Sequence, residues 1–340
     1  MALRYMDSFD HYATADIDKK YDFTSNSPPI DTSLFRFGTG SLGAMGTGAS
    51  PEQLTKIIDS QPTWIVGFAF YQNGMSTTPF FKFVDGATQH VYLGMNASGK
   101  MEVYGPGAVL LGASTTLLTI NVWWYIEFKV TIADAGSWDL RINGTSETSG
   151  SGDTRNGANA SADRFIIGMN GSLSGSFHMD DFYVLDGTGS APTNDFLGDC
   201  RVEALRPNGN GNSSQFTGSD GNSTDNYLLV DENDPGPNDD TDYVESPTVG
   251  DKDTYAMANL VTTAGTVYGV QAVPFAKKTD AGVREFVSVA RLSATETDSV
   301  AKVPSTLYRY YSDIRETKPG GGAWTISDVN SAEFGVKVSA

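Results

Sequence analysis

Short runs rich in Val, Ile, Phe, Tyr and Trp recur along the chain, each closed by a cluster of Gly, Asn, Asp or Ser, and long helix-periodic segments are absent. Runs of this kind predict strands, because a pleated ribbon buries alternate side chains and suits β-branched and aromatic residues. Eight stand out before residue 190: "TWIVGFAFYQ" (63–72), "PFFKFVD" (79–85), "HVYLGMN" (90–96), "KMEVYG" (100–105), "NVWWYIEFKVTI" (121–132), "SWDLRING" (137–144), "RFIIGMN" (164–170) and "FHMDDFYVLD" (177–186). The links "DGAT", "ASG", "ADAG" and "NGTSETSGSG" supply the glycines and short polar side chains that turns require.

Strands at short spacing without intervening helices predict a two-layer antiparallel sandwich, completed by the first 50 residues. Within "SPEQLTKIID", "LTKII" reads as an edge strand; a short helix with Ser50 as N-cap and Pro51 at its first position is the competing reading. After "LDGTGSAPTNDFLGD" the texture changes. Residues 206–253 are rich in Asn, Gly, Asp, Ser and Pro and read as a long wrapping segment. Strand-like runs resume at 266–278, 284–292, 305–314 and 333–340. The expected division is a sandwich over 1–196 and a second, smaller β domain over 197–340.

Composition narrows the partners. The 340 residues carry 41 Asp and Glu against 23 Lys and Arg, a formal charge of −18, which opposes binding to nucleic acid or an anionic membrane. The apolar residues, 39% of the chain, are too broken up for a membrane span. Cys200 is the single cysteine, so no intramolecular disulfide forms, and a buried thiol is expected. The start "MALRYMDSFDHY" lacks the apolar core of a secretory signal, which implies synthesis in a cytoplasm.

The ordered set "WWYIEFKVTI", "GSWDLRING" and "RFIIGMNGSLSGSFHMDDFYVLD" resembles the concanavalin-A-like lectin/glucanase superfamily, in its laminin-G-like branch. The stretch "FLGDCRVEALRPNGNGNSSQFT", followed by "DTDYVES", looks like the linker and second domain that accompany this sandwich in tailed-bacteriophage virion proteins. The opening "RYMDSFDHYAT" and the closing "WTISDVNSAEFGVKV" are similar to the ends of those proteins. The resemblance implies an all-β chain, with an N-terminal concanavalin-A-like antiparallel β-sandwich (jelly roll) followed by a smaller β domain, on the surface of a virion.

Among candidate chemical groups, Asp180 and Asp181 draw notice first. Regular alternation places Asp180 with Phe182 and Val184 and sends Asp181 to the other face with Met179, Tyr183 and Leu185. A retaining glycosidase needs its carboxyl groups about 5 Å apart and an inverting one roughly 6.5 to 9.5 Å apart, both flanking one sugar. Neighbours on a regular strand meet neither requirement, so the pair is expected to mark the fold, its buried carboxylate accepting hydrogen bonds. Glucanases resembling this sandwich carry a Glu-x-Asp-x-x-Glu strand that is absent here; Glu102 and Glu127 stand alone. His11, His90 and His178 show no zinc-ligand spacing. Gly-x-Ser-x-Gly occurs only as "GSLSG" (171–175), in an expected hairpin loop without the strand-to-helix setting of a nucleophile elbow.

"DENDPGPNDDTDYVE" gathers Asp231, Glu232, Asp234, Asp239, Asp240 and Asp242, hard oxygen ligands that suit calcium or else line a solvated acidic loop. Alternation must turn one of Trp123 and Trp124 outward, which makes them carbohydrate-binding candidates beside the commoner fate of core packing. Taken with these readings, the resemblance implies a non-enzymatic structural component on the exterior of a bacteriophage particle: a capsid decoration, a head or neck fibre, or a tail-associated protein. It is expected to be made in the host cytoplasm and located on the virion. Its expected partners are other virion proteins and further copies of itself, as a trimer, with neither nucleic acid nor membrane insertion. The alternative is a carbohydrate-binding adhesin that recognises a host surface glycan through loops such as 143–161.

Overall fold

The computed structural model describes residues 2–45, 51–75, 77, 79–169, 175–232, 236–237 and 239–340. The chain is all-β and divides into two compact units, Met1–Val202 and Glu203–Ala340. The division falls after the polar connection expected to end at 196, because residues 197–202 are hydrogen-bonded to the first unit.

The first unit is a jelly-roll sandwich of two antiparallel sheets. One sheet runs in the order β13 (Thr145–Gly152), β12 (Gly136–Ile142), β11 (Trp124–Thr131), β6 (Thr63–Gln72), β15 (Phe177–Asp186), β4 (Ser41–Met45) and β3 (Ile30–Asp31), with β1 (Leu3–Asp7) also paired to β15. The other runs β10 (Leu110–Leu117), β9 (Lys100–Tyr104), β8 (Thr88–Met95), β7 (Phe81–Asp85), β14 (Ala162–Met169), β5 (Glu52–Gln61) and β2 (Phe23–Ser25). Aromatic side chains fill the space between them. Trp64 stacks on Phe83 with centroids 5.8 Å apart, Phe68 on Phe81 at 6.0 Å, and Phe182 meets Phe165 at 5.1 Å. All six are buried, and ring pairs of this kind add about 0.5–1.5 kcal/mol each beyond the burial itself.

Two sequence expectations change here. "LTKII" lies in β5, which pairs with β14 on one side and β2 on the other, so it is not an edge strand. Residues 145–152, expected within a turn-rich link, form β13, a full strand on β12. Its glycines have a steric reason: a Cβ at Gly150 would stand 2.6 Å from the Trp138 ring, so their absence of side chain admits the tryptophan. β10 also went unpredicted. Glu147 on β13 holds it by accepting from the N–H and hydroxyl groups of both Thr115 and Thr116.

The second unit has a five-stranded sheet, β16 (Pro207–Ser214), β19 (Lys252–Met257), β26 (Glu333–Val338), β22 (Phe286–Leu292) and β23 (Thr295–Asp298). Three two-stranded ribbons accompany it: β17 (Thr217–Gly218) with β18 (Val244–Glu245), β20 (Val270–Ala272) with β25 (Asp313–Arg315), and β21 (Phe275–Ala276) with β24 (Arg309–Tyr310). The expected wrapping segment is thus partly sheet. β16, in "PNGNGNSS", is a strand by virtue of its partner. Asp253 of β19, fully buried, accepts from the N–H groups of Gln215 and Phe216, the Asn226 amide and the Tyr255 hydroxyl. The core of this unit gathers Ala290, Trp324, Val329, Ala332 and Phe334. Short helices occur in both units: α1 (Ile17–Lys20), and α2 (Ile326–Ser331), which is opened by a reciprocal capping box between Thr325 and Asp328.

Candidate functional site

The outer side of the eight-stranded sheet carries a dense set of ionisable groups, and a backbone irregularity in β15 assembles it. Asp180 pairs with Ala69 on β6, but Tyr183 already pairs with Gly67, so β15 has an additional residue at this point. Asp181 takes φ 51°, the left-handed conformation that Asp tolerates better than most residues. The bulge resets the alternation. Phe182 turns inward onto Phe68, Phe81 and Phe165, while Tyr183 faces outward.

The expected opposition of the two aspartates is therefore corrected: both carboxylates meet Arg36. The Arg36 backbone N–H donates to Asp180 at 2.7 Å, and its guanidinium donates to Asp181 at 3.1 Å and, from Nη2, to both carboxylate oxygens of Asp199. The Phe37 N–H also donates to Asp180, and the Val202 N–H donates to Asp181 at 2.9 Å. Burial, followed by the charge of Asp181, raises the Asp180 carboxyl to about 8. Burial raises Asp181 to about 6 against the pull of the Val202 N–H and Arg36. Two buried like charges side by side hold both carboxyls above the usual carboxylate range.

Glu127 lies on the same face, 1% exposed. The Tyr183 hydroxyl donates to its Oε1 at 2.6 Å, and so does the Gly198 N–H at 2.8 Å, while Oε2 has no hydrogen-bond partner among the described residues. Gly67 makes room for that tyrosine, since a Cβ there would stand 2.1 Å from the Tyr183 ring. Cys200 is half-buried rather than fully buried. Desolvation, aided by Glu127, Asp199 and Asp181, pushes its thiol up to about 12. A thiol held protonated in this way is no nucleophile at neutral pH. Residues 196–202 cover these groups, so the cluster ties the connecting segment to the sheet.

A second group on this face is more open. Trp124 begins β11 opposite Phe70 and donates its Nε1–H to the Thr119 carbonyl at 3.3 Å. Trp123, half-buried, turns the other way and lies against Tyr71, with ring centroids 5.4 Å apart. The Tyr71 hydroxyl donates to Asn121 at 3.1 Å, and its ring meets the edge of His178 at 5.7 Å. His178 in turn stands 3.0 Å from Asp31, in space that a side chain at Gly43 would fill. Burial lowers the His178 pKa against the pull of Asp31, so the imidazole is neutral at pH 7. Desolvation works to raise Asp31, but hydrogen bonds from Ser33 and His178 hold it at about 2. Trp123, Tyr71, Asn121, His178 and Asp31 thus form a continuous aromatic and polar strip. Sequence reasoning found Trp123; Tyr71 and Asp31 carried no signal that would join them to it.

The acidic stretch of the second unit gives a different result. Asp234 lies outside the described residues. Asp240 is paired with Lys277 and accepts from the Tyr308 hydroxyl, whose partners also include the Asp239 carbonyl. Glu232 is raised by burial and by the nearby Asp231 and Asp242. Among the described residues no three His, Cys, Asp or Glu side chains come together as a metal-binding group. Of "GSLSG", residues 171–174 lie outside the described residues, as does Ser50. Among the described residues no helix is long and apolar enough to cross a membrane.

No protein-family model and no curated protein matches the chain. Solved structures do. A sialidase matches with a TM-score of 0.42 and 10% identity over 56% of this chain, which spans only 19% of the sialidase. An endo-β-1,4-glucuronan lyase from the fungus Trichoderma reesei matches with a TM-score of 0.39 and 11% identity, over 52% of this chain and 93% of the lyase. An alginate lyase matches with a TM-score of 0.39 and 10% identity, over 52% and 91% of the two chains. The expectation of a non-enzymatic chain is not upheld, since lyases are among the structures it resembles; at 9–12% identity and TM-scores below 0.5 the likeness speaks to the fold alone. The missing Glu-x-Asp-x-x-Glu string spoke against one kind of hydrolase only.

Proposed function

We propose that the chain is a surface component of a bacteriophage particle whose sandwich unit engages saccharide through the Trp123–Tyr71 strip. The observation that carries the binding reading is the half-buried Trp123 ring beside Tyr71, with Asn121, His178 and Asp31 as polar neighbours. An aromatic ring offers an apolar surface to the C–H face of a pyranose, and nearby amide and carboxylate groups suit its hydroxyls. The virion location rests on the resemblance of "FLGDCRVEALRPNGNGNSSQFT", "DTDYVES" and the two chain ends to phage virion proteins. Other virion proteins and further copies of the chain are the partners in this reading, and a glycan of the host surface is the ligand.

A glycan array with the full chain, repeated with Trp123→Ala, tests the binding. Retention of signal on some glycan by the wild type and its loss in the variant is the expected pattern. A signal that the variant keeps undiminished would remove Trp123 from the site. Labelled-antibody microscopy on intact particles tests the location, and particles without label would end that part of the reading.

A further inference from the structure

The outer face of the seven-stranded sheet carries a separate constellation. Phe81, Phe83, Val91, Leu93, Met101 and Val103 are buried toward the sandwich interior, so the alternate positions of β7, β8 and β9 form the outer face. There Lys82, Tyr92 and Tyr104 stand in register across the three strands, continued by Ile166 on β14 and Leu110 on β10. The rings of Tyr92 and Tyr104 stack with centroids 4.7 Å apart and planes 10° from parallel. Glu102, beside them on the same face, accepts from the Tyr104 hydroxyl at 2.5 Å and from the Asn96 amide at 2.9 Å. Those two donors fix the carboxylate and leave it further lone pairs. Across the strand from it stands Gly94.

Lys82 is the informative member. Its ammonium has no ion pair and no hydrogen bond among the described residues, although the chain carries a formal charge of −18. Burial alone draws its pKa down, the mark of a cation that has lost hydration without gaining a partner. An anionic group placed against it would offset that loss.

We propose that this face binds a carboxylate-bearing sugar: Lys82 pairs with the carboxylate, the Tyr92–Tyr104 stack forms the apolar wall beside the ring, and Glu102 accepts from ring hydroxyls. The site lies on the opposite sheet from Trp123 and stands independently of the saccharide strip there.

The test is calorimetric titration of the full chain with three probes: a glucuronic-acid tetrasaccharide, sialyllactose and neutral maltotetraose. The first two separate a uronate from a sialate as the source of the carboxylate. Binding of at least one acidic probe, weakened about ten-fold or more in Lys82→Gln and kept in Lys82→Arg, is the expected result. Lys129→Gln, which removes a cation from the other sheet, controls for net charge and should bind as the wild type does. Equal affinity for maltotetraose, unchanged affinity in Lys82→Gln, or no heat from either acidic probe at about 5 mM would overturn the assignment.

Discussion

At the scale of single residues, Asp181 decides the character of β15. Its left-handed backbone inserts the additional residue that brings two carboxylates to one arginine and sends Phe182 into the core. Both carboxyls have folded-state pKa values above the unfolded value of 3.8, Asp180 at about 8 and Asp181 at about 6. Groups shifted upward in this way contribute stability that is complete below the unfolded value and is lost as pH rises through the folded ones. Urea unfolding at about pH 5, 7 and 9 should therefore show this contribution fading with rising pH, and Asp180→Asn should flatten the slope. An unchanged slope in the variant would show that Asp180 carries no such proton. Tyr183→Phe deprives the buried Glu127 of a 2.6 Å donor and should cost about 1–3 kcal/mol in the same measurement, with little change in the far-ultraviolet spectrum.

At the scale of elements, strands with a strong apolar pattern were legible and strands made by their partners were not. "TWIVGFAFYQ" and "FHMDDFYVLD" became β6 and β15 at their expected bounds, because both sides of these central strands are buried. β13 and β16 are mostly Gly, Ser, Thr and Asn, and their pairing depends on Trp138 and Asp253, residues hidden in other strands. Gly67→Ala should show how closely β6 and β15 are fitted. The added methyl would meet the Tyr183 ring at 2.1 Å, and overpacking of this kind costs about 1–3 kcal/mol. Asp253→Ala should destabilise the second unit by more than a typical surface substitution, since the N–H groups of Gln215 and Phe216 lose a buried acceptor. Denaturant midpoints of both variants, taken by circular dichroism, check these values. A wild-type midpoint in either would remove the packing or bonding role assigned to that residue.

At the scale of the whole molecule, 41 acidic against 23 basic residues leave a charge of −18, and compact states of such charge are strained by self-repulsion. Raising sodium chloride from about 10 to 150 mM shortens the Debye length from about 30 to 8 Å and should raise the melting temperature. A falling melting temperature would mean that attractive pairs such as Arg36–Asp199 and Arg155–Asp134 outweigh the repulsion. The sequence by itself determined the all-β class and the outward turn of one tryptophan, since both follow from local alternation and composition. Only the tertiary structure decided which groups meet. The β15 bulge, the Trp123–Tyr71–His178 strip and the Lys82–Tyr92–Tyr104 row depend on register between strands far apart in the chain, and a register shift of one residue reverses the face of every side chain.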